Sequence, residues 1–215
     1  MIRQVPVLLF LTVLVVVLPV AAMAQTQRTD PHAAHRSPTY SAHETKITLP
    51  DVILHDSEGR EQTLSGLMHN RVVILNFVFT SCTTICPAFS AIMRSTEQQL
   101  SGRLGKEVIL VSISVDPVND TPEKLRTYAR RIGAGPHWYW LTGHPVDIEQ
   151  ALRAFGVPVG GRPENHPPTI LVGNTSTGRW LRWVGMVTPE TLIDAVNTVT
   201  GNIPSREKHS HAQTR

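Results

Sequence analysis

Cys82 and Cys86 are the two cysteines of the chain, and their spacing and neighbours make them the first candidates for chemistry. They follow an apolar run, Val72–Phe79, and Pro87 comes directly after the second cysteine. Proline fits the first turn of a helix, so we expect a helix to begin near Cys86 and Cys82 to lie in the loop before it. The unpaired amides and the positive dipole end of that helix favour a thiolate. The sequence therefore predicts that one of the two sulfurs has a lowered pKa and that the two sulfurs meet, open to approach, at the mouth of the fold.

A thiolate is both a nucleophile and a metal ligand, so the cysteine pair could serve either in thiol chemistry or in metal binding. Three residues separate the cysteines, where the common redox motif has two, and the wider loop leaves space for an ion between the sulfurs. Monovalent copper prefers thiolate ligands, whereas structural zinc takes four protein ligands. One copper ion is therefore the favoured partner of the pair. An inert disulfide or two buried thiols is the structural alternative.

A site of two thiolates would gain from an imidazole, and His166 is the candidate because it precedes a later apolar run. Spacing alone does not distinguish His166 from a surface or hydrogen-bonded histidine. The remaining histidines occupy no motif, and we assign them structural or solvated roles: His32, His35, His43, His55, His69, His137, His144, His209 and His211.

The elements that would position these residues alternate between strands and helices. Val72–Phe79 and Val108–Val115 are typical of strands buried on both faces, and a helix at about 87–104 would join them as a parallel pair. Further helices are expected at 122–132, 146–155 and 189–199, and further strands at 138–141, 169–172 and 179–184, the last two as a hairpin. This order predicts an α/β sandwich with helices on both faces of a mixed sheet.

Length and composition are compatible with one folded domain. The chain has 215 residues, of which 41% are hydrophobic and 17% charged, so a disordered chain or a coiled coil is excluded. The formal net charge is +3, and no run of five Lys or Arg occurs, so nucleic acid is not an expected partner.

The two ends of the chain differ from the centre. Residues 1–24 combine an early Arg3 with an apolar stretch and end in Ala22-Met23-Ala24, which is typical of a cleavable signal peptide; a retained membrane anchor is the alternative. Residues 25–44 are expected to be a flexible linker, 45–204 the folded domain, and 205–215 a histidine-containing tail. The domain should therefore work in the periplasm or elsewhere outside the cytoplasm, with membrane contact only if residues 1–24 are retained.

The sequence resembles the Sco/SenC family of thioredoxin-fold copper proteins. The matching segments are Phe79–Pro87, Val111–Pro117 and Asp120–Glu123, together with a histidine 80 residues after Cys86. The resemblance implies a thioredoxin-like three-layer sandwich and copper binding by Cys82, Cys86 and His166. It further implies delivery of copper to the binuclear copper centre of a respiratory cytochrome c oxidase, whose copper-bearing subunit would be the partner, besides other copper or thiol-redox proteins. Asp116 would have a structural or supporting role.

One departure from the family pattern favours an alternative. Pro167 and Pro168 stand between His166 and Thr169, where the family has Ser or Thr directly after the histidine. The Pro168-Thr169 pair resembles the cis-proline and threonine that face the cysteines of thioredoxins, and a cis bond there would favour thiol exchange and could displace His166 from the metal. The second hypothesis is therefore an extracytoplasmic thiol–disulfide oxidoreductase, with Cys82 as nucleophile and Cys86 as resolving thiol. A structural or redox-sensing partner protein is the third.

Overall fold

The two most apolar runs of the sequence form the centre of the sheet. In the computed structural model, which describes residues 42–201, every residue of Val72–Val78 and of Val108–Ser114 is buried. The two segments pair in parallel, with Val72 opposite Val108 and Val78 opposite Ser114. The predicted β-α-β unit is therefore confirmed.

Eight strands and five helices are present within residues 42–201, and they follow one another in a mostly alternating order. In chain order they are β1 (His43–Thr45), β2 (Ile53–Asp56), β3 (Glu61–Thr63), α1 (Leu64–Met68), β4 (Val72–Val78), α2 (Ile85–Gln99), β5 (Val108–Ser114), α3 (Pro122–Ile132), β6 (Trp138–Thr142), α4 (Pro145–Ala154), β7 (Thr169–Asn174), β8 (Arg179–Val184) and α5 (Pro189–Thr200). A short 3-10 turn at Pro163–Asn165 precedes β7.

The strands form one mixed sheet in the order β1-β8-β7-β4-β5-β6-β2-β3. The pairs β4–β5 and β5–β6 are parallel, and the other pairs are antiparallel, including the predicted β7–β8 hairpin. In such a sheet the carboxyl ends of β4 and β5 and the amino end of β7 lie at the same end of the strands. The loops at that end contain the candidate site residues.

Helices cover both faces of this sheet. One core contains side chains of α2, α3 and α5 against one face of the strands: Ile74, Phe89, Met93, Leu110, Leu125, Val172, Leu192 and Val196. A second core contains side chains of α1 and α4 against the other face: Leu64, Met68, Val73, Leu75, Ile109, Val111, Ile148 and Leu152. The alternation of neighbouring strand residues between the two cores is the two-residue period of a strand buried on both sides. The predicted three-layer α/β sandwich is confirmed.

The predicted helix starts are also correct at two sites. The Thr121 hydroxyl accepts a hydrogen bond from the Lys124 amide at 3.3 Å, and the Thr188 hydroxyl accepts one from the Thr191 amide at 3.3 Å. A proline follows each threonine at the first helical position. These caps satisfy amides that a helix start otherwise leaves unpaired.

The structure adds four short elements before β4 that the sequence did not predict, namely β1, β2, β3 and α1. His43 and Glu44, which we assigned to the linker, pair with Arg182 and Leu181 of β8. The predicted signal peptide, most of the predicted linker and the predicted tail lie outside the described residues. Across 42–201, none of the helices combines the length and apolar character needed to cross a bilayer.

Candidate functional site

Cys82 and Cys86 meet at the amino end of α2. Cys82 lies in the loop after β4, and Cys86 is the second residue of the helix. The Cys86 amide donates a hydrogen bond to Cys82 Sγ at 3.3 Å, and both cysteines are free thiols. The predicted placement of one sulfur above the helix start and the other within its first turn is thus observed.

The pair is less accessible than we expected. Cys82 is 6% exposed and Cys86 3%, and both pack against Phe79 and Val115. The expectation of a pair open to approach is therefore wrong for this structure, because these two apolar side chains cover the sulfurs. The loop around the cysteines nevertheless lies at the surface, since its residues Ser81, Thr83, Thr84 and Ile85 are all exposed.

The surroundings give the two sulfurs different affinities for a proton. Burial by itself raises the pKa of the Cys82 thiol, but hydrogen bonds from the Cys86 thiol and from the amides of Cys86, Thr84 and Ile85 outweigh it and lower that pKa. The pKa of Cys86 is raised to about 12, first by burial and then because its thiol donates to Cys82. Cys82 therefore loses its proton more readily than Cys86, and the Cys86 thiol stabilises negative charge on the Cys82 sulfur.

A buried carboxylate, Asp120, holds the loop that carries Cys82. Both carboxylate oxygens lie 3.1 Å from the Thr80 amide, and they also accept hydrogen bonds from the Thr80 hydroxyl at 2.5 Å and the Ser114 hydroxyl at 2.6 Å. Asp120 is 1% exposed, and no cation lies within 4.0 Å of it among residues 42–201. It therefore ties the end of β5 to the cysteine loop through hydrogen bonds alone.

Sequence reasoning did not identify this role of Asp120. The sequence feature that could have indicated it is the position of Asp120 directly before the helix-start pair Thr121-Pro122, in a segment that resembles the family. Asp116, which we expected to have a supporting role, is half-buried and accepts hydrogen bonds from the Asn119 side chain at 2.9 and 3.0 Å. Asp116 thus shapes the turn after β5, whereas Asp120 reaches the loop of the cysteines.

His166 lies between the 3-10 turn and β7, with its ring edge against Phe77 at a centroid distance of 6.3 Å. Its Nε2 is buried and has no hydrogen-bond partner among the described residues. Burial lowers the pKa of His166 to about 4, so the imidazole is neutral at physiological pH. A neutral imidazole with an unused ring nitrogen has the chemistry of a metal ligand.

His166 and the cysteines occupy neighbouring places but do not form one cluster. Within 42–201, no three His, Cys, Asp or Glu side chains are grouped closely enough to hold a metal ion. Val115 packs against the cysteine pair and also lines a cavity of about 250 Å³ that includes His166. Val115 is thus common to the surroundings of both parts of the predicted site.

Every peptide bond within the described residues is trans. The resemblance of Pro168-Thr169 to a cis-proline pair is therefore not matched by the backbone, and the Pro168 carbonyl instead accepts a hydrogen bond from the Gly185 amide at 2.8 Å. This contact joins the segment after His166 to the end of β8.

The rival histidines within the described residues have places of their own. His43 lies in β1, His55 in β2, and His69 follows α1. His137 covers Gly105, whose φ of +73° is a left-handed conformation that glycine adopts without strain. His144 is the N-cap of α4, where its Nδ1 accepts a hydrogen bond from the Val146 amide at 3.4 Å.

Comparison with known proteins extends these observations. A SCO1 protein homolog of Bacillus subtilis is 33% identical over 118 residues, which are 54% of this chain and 60% of the relative. The mitochondrial SCO1 homolog 1 of Arabidopsis thaliana is 32% identical over 117 residues, 54% of this chain and 34% of the relative. A Stutzerimonas stutzeri protein, whose name marks it as a candidate copper-binding protein, is 36% identical over 104 residues, 48% of each chain. The matched segment thus spans from a third to three fifths of these relatives.

Solved structures share the fold over a larger part of their length. The structure of BsSco, described as a member of the Sco family of cytochrome c oxidase assembly proteins with a disulfide switch, is 25% identical with a TM-score of 0.62; the match covers 75% of this chain and 98% of that one. Copper-bound ScoI of Arabidopsis thaliana has a TM-score of 0.59 at 23% identity, over 70% of this chain and 96% of that one. At that identity the likeness concerns the fold alone.

The family model described as SCO1/SenC matches residues 43–177, from the first strand through the β7–β8 turn, and so takes in the cysteine loop, Asp120 and His166. The match covers more than half of the chain. This chain belongs to the SCO1/SenC family.

Proposed function

We propose that this protein is a copper-binding metallochaperone that delivers copper to the binuclear copper centre of a respiratory cytochrome c oxidase. Copper is its cargo, and the thiolates of Cys82 and Cys86 with the imidazole of His166 are the proposed ligands. The partner would be the copper-bearing subunit of the oxidase, with other copper or thiol-redox proteins as further partners.

The observation that carries this proposal is the meeting of two free sulfurs at the start of α2. The Cys86 amide donates to Cys82 Sγ at 3.3 Å, and the surrounding hydrogen bonds favour the Cys82 thiolate. One thiol in a loop and a second in the first turn of the helix that follows are suitable ligands for a soft monovalent ion. Cys86, with a pKa raised to about 12, would release its proton on binding the metal.

His166 supports the proposal as a neutral imidazole with an unused, buried nitrogen. Its buried Nε2 lacks a partner within the described residues, which is a cost unless a ligand or the metal is present for part of the protein's cycle. Because the two sulfurs and the imidazole are not grouped closely enough to hold a metal ion, ligation requires His166 or the cysteine loop to shift. A bound metal would supply the free energy for that shift.

A second candidate function is thiol–disulfide exchange, and the opposite shifts of the two thiols favour it. The Cys82 thiolate would attack a disulfide of a target, and one target sulfur would leave with a proton. Cys86 would then lose its proton and attack Cys82 Sγ, which releases the second target thiol and leaves the protein oxidised. The pair thus reduces the target by two electrons.

Copper binding by the reduced full-length chain tests the first proposal. Competition against a chromophoric Cu(I) chelator should give one bound ion per chain. We expect Cys82→Ser and Cys86→Ser each to lower the affinity by at least about a hundredfold and His166→Ala by at least about tenfold. Wild-type affinity in His166→Ala would remove this residue from the ligand set, and wild-type affinity in both cysteine variants would overturn the function.

His144→Ala is the matched control, because it removes another imidazole at an exposed helix cap. It should leave the copper affinity unchanged. To separate delivery from storage, the copper-loaded chain is mixed with an isolated copper-bearing oxidase domain, and metal transfer is followed by the absorbance of the acceptor.

We further propose that the domain works in the periplasm or elsewhere outside the cytoplasm. The signal-like residues 1–24 support export, and cleavage or retention of that segment decides between a released and an anchored form. A SCO1/SenC neighbour in Bacillus anthracis is described as a lipoprotein. Mass spectrometry of the protein from cell fractions tests both forms.

A further inference from the structure

A cavity of about 430 Å³ lies between α3 and the loop that carries Cys82. Thr80 contributes the loop side, and the helix side consists of Glu123, Lys124, Thr127, Tyr128 and Arg131. This cavity shares no lining residue with the one that contains His166. Its volume falls within the range of about 300–1,000 Å³ that is typical of small-molecule sites.

Two lining residues of the cavity connect it to the segments that carry the cysteines. Thr80 stands two residues before Cys82 in the same loop. The hydroxyl of Tyr128, on the inner side, forms a hydrogen bond with the Ser90 hydroxyl at 3.1 Å. Ser90 comes four residues after Cys86 on α2, which places it one turn along the same helix face. The cavity is thus connected to the cysteine loop through Thr80 and to the helix of Cys86 through the Tyr128–Ser90 hydrogen bond.

The charges that line the cavity favour an anion. Lys124 Nζ donates to the Asn119 carbonyl at 2.8 Å, and the Arg131 guanidinium stands 4.7 Å from the centre of the Tyr128 ring. Neither cation has a carboxylate within 4.0 Å among residues 42–201. With Glu123 as the single acid of the lining, the two cations leave one net positive charge. A carboxylate would find here two cations that are not neutralised by an acidic side chain of residues 42–201.

We propose that this cavity binds the carboxylate of a small thiol that reduces the Cys82–Cys86 disulfide and so returns the pair to its metal-binding form. The proposal rests on the proposed function, because both sulfurs must be reduced before they bind copper. It assigns Lys124 and Arg131 as the residues that position the incoming thiol.

The reaction consumes two equivalents of the small thiol. The first thiolate attacks Cys82 Sγ, the bond between Cys82 and Cys86 breaks, and the Cys86 sulfur takes a proton from water. The second thiolate attacks the small-molecule sulfur of this mixed disulfide and releases the Cys82 thiolate. Two small thiols are thereby oxidised to one disulfide, and the protein disulfide is reduced to two thiols.

Reduction rates with thiols of different charge test the proposal. The full-length chain is oxidised with diamide, and its reduction by mercaptopropionate, mercaptoethanol and cysteamine is followed at low ionic strength, with rates expressed per thiolate. We expect the anionic thiol to react about fivefold faster than the neutral one, and the cationic thiol to be slowest. Equal rates for the three thiols would overturn the proposal.

Two double variants separate the cavity from the overall charge of the protein. Lys124→Gln with Arg131→Gln should bring the ratio of anionic to neutral rates close to one and leave the neutral rate within about twofold of wild type. Arg126→Gln with Arg130→Gln removes the same charge from the same helix but outside this cavity, and it should keep the wild-type ratio. An equal loss of the ratio in both double variants would contradict a local site.

Copper binding by the reduced chain reports separately on the proposed function. The Lys124→Gln, Arg131→Gln variant should bind copper as wild type does. A chain that prefers the anionic thiol but binds no copper would contradict the proposed function and still support the thiol site.

Discussion

The backbone amide of Cys86 donates a hydrogen bond to Cys82 Sγ over 3.3 Å, so the helix that begins at Ile85 stabilises charge on the sulfur of the preceding loop. The Cys86 thiol donates to the same sulfur. Cys86 therefore acts on Cys82 through both its backbone and its side chain. The three residues between the cysteines form the bend that allows both contacts.

Replacement of Cys86 by alanine should raise the pKa of Cys82. The side-chain hydrogen bond from Cys86 is the largest of the effects that lower this pKa, and alanine removes it while the backbone donors remain. The rate of iodoacetamide alkylation as a function of pH measures the pKa of Cys82 in wild type and variant. Cys86→Ser is the control because its hydroxyl can still donate, and its profile should lie closer to wild type. A Cys86→Ala profile at lower pH than wild type would contradict the assigned hydrogen bond.

Acid should destabilise the fold through His166. Burial lowers its pKa from 6.5 to about 4, so the unfolded chain takes up this proton more readily than the folded one. The stability associated with the neutral His166 is fully present above pH 6.5, and it is lost as the pH falls from 6.5 towards 4. At most about 3.5 kcal/mol of folding free energy is lost, because the pKa falls by about 2.5 and one pKa unit corresponds to about 1.4 kcal/mol.

Urea unfolding of wild type and His166→Gln at pH 7.5 and 4.5 isolates this contribution. The wild type should lose more stability than the variant between these two conditions, since glutamine does not titrate. An equal loss in both proteins would show that His166 is accessible to protons in the folded state.

Replacement of Asp120 by asparagine should destabilise the protein by about 2–4 kcal/mol. Hydrogen bonds to a buried charged group contribute roughly 1.5–3 kcal/mol each, and asparagine offers an amide where the carboxylate accepts from Thr80 and Ser114. Urea unfolding at neutral pH measures the change.

Asp116→Asn is the matched control for Asp120. Asp116 is half-buried, and the Asn119 side chain is the one hydrogen-bond donor to its carboxylate among the described residues, so we expect a change below about 1 kcal/mol. Similar losses of unfolding free energy in the two variants would show that the Asp120 hydrogen bonds stabilise the fold no more than those of Asp116.

Replacement of Gly173 by alanine should cost about 1–3 kcal/mol. Gly173 of β7 lies opposite Trp180 of β8, and a Cβ at Gly173 would overlap the Trp180 indole. Gly102→Ala is the control because nothing lies within 4 Å of its added carbon, and its thermal unfolding midpoint should stay the same or rise slightly. A Gly173→Ala midpoint equal to that of wild type would show that the indole can move aside.

Local sequence patterns were sufficient for the larger elements. The apolar runs of β4 and β5, the cap pairs Thr121-Pro122 and Thr188-Pro189 and the turn between β7 and β8 each carry their signal within a few residues. The elements that went unpredicted are three to five residues long, too short for a periodic pattern. β1 exists because it pairs with β8, more than 130 residues away, and such a partner leaves no mark in the local sequence.

For the site, the residues Cys82-Thr83-Thr84-Ile85-Cys86-Pro87 alone determined that two sulfurs meet at a helix start, because the proline and the preceding strand constrain the backbone there. The tertiary structure alone decided that Phe79 and Val115 pack against the sulfurs, that Asp120 holds the loop, and that His166 does not join the cysteines in one cluster. These relations depend on how distant segments pack in three dimensions, and packing distances are set by the volume of every side chain between them.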